Sequence, residues 1–75
     1  EILQKLGVVY AMLGEHQNSI DIFTKALEKH PENPHVLMNM GIAYKNMGQV
    51  EVGQSYLDRA FALEPKLRGG QPQSK

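Results

Sequence analysis

The sequence contains no cysteine, which excludes disulfide staples, thiolate zinc sites and thiol catalysis. It has no surplus of either charge: eight Lys and Arg balance eight Asp and Glu. No global field therefore directs it to nucleic acid or to an anionic membrane. No apolar run approaches the roughly 18 residues needed to span a bilayer, and no secretory signal opens the chain. The first residue is Glu1 and not methionine, as expected of an excised piece or a processed product. A chain free of cysteine fits cytosol and periplasm alike. At 75 residues, a compact fold buries roughly 60% of the unfolded surface. Chains of this size commonly lean on a metal or on a partner surface.

What the sequence does have is a repeat. Sliding the chain along itself by 34 residues aligns Leu3 with Leu37, Gly7 with Gly41 and Tyr10 with Tyr44. The same shift aligns Gly14 with Gly48, Ala26 with Ala60 and Pro31 with Pro65. Glycines, prolines and ring-bearing positions are the ones that backbone geometry constrains, so their coincidence marks a structural unit used twice.

Within each copy the apolar spacing is helical. Leu3, Leu6, Tyr10 and Leu13 recur along one stripe, and Leu37, Met40, Tyr44 and Met47 repeat it, so each set is expected on one core-facing side of a helix. Gly14 and Gly48 sit just past the last periodic residue, where a left-handed C-cap costs glycine little. A second helix follows in each copy, with Phe23, Ala26 and Leu27 and then Leu57, Ala60 and Phe61. Pro31 and Pro65 end these helices, because the residue before a proline is pushed out of helical geometry. Asn33 is the expected N-cap of the third helix, with Pro34 at its first position. The spacing predicts an all-α fold of two antiparallel helix-turn-helix units, with helices near 2–13, 16–29, 34–47 and 50–63. Residues 1–33 form one unit, 34–65 the next, and 66–75 a loose polar tail without apolar period.

This pattern resembles the tetratricopeptide repeat, whose 34-residue unit reads W/L-x-x-L-G-x-x-Y, then A-x-x-x-F-x-x-A, then P. Copy one supplies Leu3, Leu6, Gly7, Tyr10, Ser19, Phe23, Ala26 and Pro31; copy two supplies Leu37, Met40, Gly41, Tyr44, Gly53, Leu57, Ala60 and Pro65. Leucine replaces the family's tryptophan, and Ser19 and Gly53 replace an alanine where helices cross closely. Gly53 inside a helix costs about 1 kcal/mol relative to alanine. The resemblance implies helix pairs stacked as part of an α-solenoid, no chemistry of its own, and an inner groove, lined by first helices, that holds peptides. Gly7 and Gly41 flank the core stripe, so their missing side chains let the second helix of each pair approach.

A helical wheel at about 100° per residue separates the faces. Val8 on the first helix lies nearly opposite its core stripe, beside Gln4, Ala11 and Met12. Ile42 on the third helix is equally opposed to its stripe, with His35, Met38, Lys45 and Asn46 around it. The expected peptide-binding groove is therefore Gln4, Val8, Met12, His35, Met38, Asn39, Ile42 and Lys45. Its partner is a protein or peptide ligand, and its methionines adapt to more than one. The competing reading is that neighbouring first helices pack on each other and hide these side chains. One subclass of the family clamps C-terminal carboxylates with Lys and Asn on its first helix. Gln4 and Val8 stand at those positions and only Asn39 matches, so the resemblance implies no strong carboxylate binding. On the fourth helix, Val50, Leu57 and Phe61 form the expected core stripe. Val52, Tyr56 and Leu63 form a separate apolar face, which calls for a cover. A further repeat or a homodimer through that last helix would supply it.

Other chemistry finds no support. His16, His30 and His35 lack the spacing and the carboxylates of a metal site. Tyr10 and Tyr44 occupy core positions, and Gly69-Gly70 lacks the strand and helix of a phosphate loop. No catalytic residue, metal ligand or cofactor site is assigned. Helical repeats that read RNA usually run about 35 residues and carry basic grooves. Here residues 1–34 hold three basic and five acidic side chains, and the rest five basic and three acidic. No nucleic acid or membrane partner is expected. The alternatives to a binding module are an architectural, self-associating segment of a longer solenoid and, less favoured by this charge pattern, an RNA-binding repeat.

Overall fold

A computed structural model of the chain describes residues 2–69. Four helices run back and forth: α1 (Ile2–Met12), α2 (His16–Lys29), α3 (Pro34–Asn46) and α4 (Val50–Leu63). A single turn, α5 (Lys66–Gly69), follows. It occupies the start of the stretch expected to be loose; residues 70–75 lie outside the described residues. No strand occurs among the described residues.

The turns form where backbone chemistry demands them. Gly14 and Gly48 adopt φ of 81° and 89°, a region open to glycine at little cost. After α1, the Glu15 N–H donates to the Tyr10 carbonyl at 2.9 Å and the Gly14 N–H to Ala11 at 3.0 Å. Gln49 and Gly48 repeat this pattern on Tyr44 and Lys45, so both first helices end in the same paired C-terminal lock. Met47 is the C-cap of α3, one residue earlier than the periodicity implies. His30 and Glu64, each preceding a proline, leave helical geometry with ψ of 81° and 87°, as the ring of the next residue requires. The Asn33 side chain accepts from the His35 and Val36 N–H groups at 3.0 and 3.3 Å. Those donors have no partner within the helix.

The core lies between the two helix pairs. Ile20, Phe23 and Ala26 of α2 meet Val36, Met40 and Ala43 of α3, with Leu3, Val8, Leu27, Tyr44 and Tyr56 packed around them. Phe23, Leu37 and Val36 are fully buried, each worth about 1.5–3 kcal/mol relative to exposure. Within each pair, glycine sets the spacing. A Cβ on Gly41 would fall 2.7 Å from the Gly53 carbonyl oxygen, and one on Gly7 2.5 Å from the Phe23 ring.

Four positions depart from the expected core: Leu6, Leu13, Met47 and Val50. Leu6 and Leu13 are exposed while Leu3 and Tyr10 are half-buried, and Gly7 is the buried residue of α1. The 3.6-residue period locates an apolar stripe but does not say which edge of it a neighbour covers. Only the Leu3, Gly7 and Tyr10 edge turns to α2. Val50 is also exposed, because it opens α4 beyond the reach of α3's core residues.

Candidate functional site

The first helices of the two pairs lie side by side and leave a cavity of about 190 Å³ between them. From α1 come Val8, Ala11 and Met12, one and the same face at i, i+3 and i+4. From α3 come Asn39, Ile42, Ala43 and Asn46, again one face, and Phe23 of α2 forms the floor. Every lining side chain is uncharged. Ile42 and Met12 are exposed at the rim, whereas Phe23 and Ala43 are buried beneath it. Among the described residues neither the Asn39 nor the Asn46 carboxamide is engaged by another side chain. The site therefore offers an apolar well between two polar groups that both donate and accept hydrogen bonds.

The structure brings together four of the expected groove residues, Val8, Met12, Asn39 and Ile42. Gln4 lines a separate recess of about 50 Å³ with Leu3, Ala26, Lys29, His30, Asn33 and Val36. His35 is exposed in the first turn of α3 and Met38 is half-buried; neither reaches the cavity. Lys45 is turned to the other side. Its Nζ donates to Gln54 Oε1 at 2.6 Å, Gln54 Nε2 in turn donates to Asp58 Oδ1 at 2.9 Å, and its stem lies against Gly53. The glycine at position 53 opens a trough on α4 that the aliphatic part of lysine fills, so Lys45 belongs to the α3–α4 contact. Ala11 and Asn46 were adjacent to the groove on the helical wheel. Phe23 and Ala43 carried no such signal, because their place under the groove depends on how α2 crosses both first helices.

On α4, Val52 and Leu63 are exposed, but Tyr56 is half-buried. Its ring stacks on Tyr44 with centroids 5.4 Å apart and planes 5° from parallel. The Arg59 guanidinium lies 5.6 Å from its centroid, within cation–π range. Burial, then the neighbouring Tyr56 and Asp21, raise the Tyr44 hydroxyl above its ordinary pKa of 10.0. Wider depressions of about 440 and 450 Å³ are lined by single short stretches, Lys29 to Asn33 and Gly48 to Val52. Each is a dent beside a turn, not a site assembled from several helices. Among the described residues no three His, Asp or Glu side chains gather to hold a metal ion. No helix there is long and apolar enough to cross a membrane.

The sequence profile of the tetratricopeptide repeat matches residues 10–69. The chain belongs to the tetratricopeptide repeat family. Among its relatives, the photosystem I assembly protein Ycf3 of Synechococcus sp. (strain CC9605) is 38% identical over 64 residues, covering 81% of this chain and 37% of that protein. The Ycf3 of Prochlorococcus marinus subsp. pastoris is 34% identical over 59 residues, covering 79% of this chain and 34% of that protein. The protein CTR9 homolog of Arabidopsis thaliana is 38% identical over 61 residues, 81% of this chain but 6% of the relative. The chain thus spans about a third of the assembly proteins it matches. Membership in the tetratricopeptide repeat family supports the role of a protein-interaction scaffold.

Proposed function

We propose that the chain holds an extended peptide or a segment of a partner protein in the groove between α1 and α3. An apolar side chain of that segment enters the cavity above Phe23, and the Asn39 and Asn46 carboxamides pair with its backbone. The observation that carries this reading is the uncharged cavity itself, built from three helices and large enough for one side chain. A pocket without lysine or arginine gives no advantage to a terminal carboxylate, so the ligand is an internal segment. Assembly, the activity for which the Synechococcus relative is named, is work of this kind.

The test is an array of 12-residue peptides carrying Leu, Met, Phe, Glu or Lys at the central position, probed with the chain and with Val8→Glu and Ile42→Glu variants. Apolar centres should bind and charged ones should not. Both variants should lose about tenfold or more in affinity, the value of one buried apolar side chain, with the helical circular dichroism unchanged. Equal binding by the variants, or preference for charged centres, would overturn the reading.

A further inference from the structure

The chain has no cysteine, so its four methionines carry all of its sulfur, and they differ widely in access. Met40 is 2% exposed, Met47 37% and Met12 80%, while Met38 is half-buried. Met12 alone among them lines the cavity between α1 and α3, beside Val8, Ala11 and Ile42. Its exposure is a property of the groove. The helix pair that follows it leaves Met12 open, and Asn46, the same position one repeat later, is exposed with a helix pair before it. Neither neighbour of a repeat covers this position.

A hydroperoxide converts a thioether to its sulfoxide. The sulfur lone pair attacks the terminal oxygen, and the O–O bond breaks as the S–O bond forms. The proton of the transferred oxygen passes to the departing one, which leaves as water or an alcohol. Sulfur is oxidised by two electrons and the peroxide reduced by two. The product places a strongly polar S–O group where the groove was apolar. That oxygen holds water against Val8 and Ile42, and an apolar ligand side chain could enter the cavity only by stripping the water away. We propose that Met12 is an oxidative modification site, and that its sulfoxide closes the groove to apolar side chains until it is reduced again. The gating rests on the groove reading given above; the site of oxidation rests on access alone. Met40 supplies the contrast, since it packs in the core cluster with Phe23 and is sheltered from the oxidant.

The test treats the 75-residue chain with hydrogen peroxide and follows each methionine by peptide mass spectrometry. Binding of the Leu-centred array peptide and helical circular dichroism are measured alongside. Met12 should oxidise first and Met40 last. When Met12 alone is converted, affinity should fall about fivefold or more, as for desolvating one polar group, with helical content unchanged. Methionine sulfoxide reductases should restore it, and saturating peptide should slow oxidation of Met12 but not of Met47. Met47→Leu should keep the peroxide response and Met12→Leu should lose it. Oxidation of Met38 or Met47 ahead of Met12, or an affinity unmoved by the Met12 sulfoxide, would overturn this proposal and leave the groove standing. An untreated chain that binds no peptide would overturn the groove reading and the gating together, and is told apart because it shows before any peroxide is added.

Discussion

Replacing Gly41 with alanine tests the packing logic at its tightest point. The added Cβ would stand 2.7 Å from the Gly53 carbonyl oxygen, 2.8 Å from Leu57 Cγ and 3.1 Å from the Leu57 nitrogen. Comfortable carbon contacts lie near 3.5–4.0 Å. Two of the three obstacles are main chain, so rotamer changes cannot relieve them and α3 must move away from α4. Overpacking of this kind costs about 1–3 kcal/mol, and a backbone obstacle places Gly41 at the upper end. Alanine returns about 1 kcal/mol through its helix preference. The net loss is then about 2 kcal/mol, which in a domain of this size lowers the melting temperature by about 10 °C. Gly7→Ala is the internal comparison. The three atoms nearest its new Cβ all belong to the Phe23 ring, at 2.5 to 2.8 Å, and a ring can tilt where a carbonyl cannot. Thermal and urea unfolding at one low protein concentration should rank Gly41→Ala well below Gly7→Ala. A Gly41→Ala variant as stable as the parent, or a reversed ranking, would refute the argument that backbone approach sets this spacing.

Ser19→Ala should raise stability by about 1 kcal/mol, since it removes a fully buried hydroxyl that has no hydrogen-bond partner among the described residues; a urea midpoint that falls would contradict this. Tyr44 has a raised pKa in the folded state, so the folded chain holds that proton more tightly than the unfolded one. Its contribution is intact below pH 10 and is lost as pH rises through the folded value. Tyr44→Phe should flatten the alkaline end of the stability–pH curve, and an unchanged alkaline slope would remove Tyr44 as its source.

Most of the fold was legible in the sequence, for local reasons. Gly14, Gly48, Pro31, Pro65 and Asn33 each act within a few residues of their own position, and all five do in the structure what their chemistry implies. The candidate site was legible only in part. Val8 and Ile42 stand out as apolar residues on the wrong side of their helices, and the cavity lies between them. Lys45 shares that face by angle alone, yet a flexible side chain follows the nearest acceptor, here Gln54. The status of Leu6 and Val50 was not legible either. An apolar period reports that a face wants cover, while the presence of a covering helix depends on elements distant in sequence. Ile2 and Val36 occupy the same place in their repeats and differ from 82% to 1% exposed for that reason alone.

Phe23 has a consequence for how such a unit can change over time. One edge of its ring fills the space left by Gly7, and the same ring floors the groove. A smaller residue there would deepen the well and at once leave a void beside α1, while a larger one would force the helix pair apart. Ligand preference and folding are thus tied together at the floor and separable at the rim. Asn39, Ile42 and Asn46 can be exchanged with little effect on the helix crossings. New specificities on this scaffold are therefore expected to arise by rim substitutions above an unchanging aromatic base.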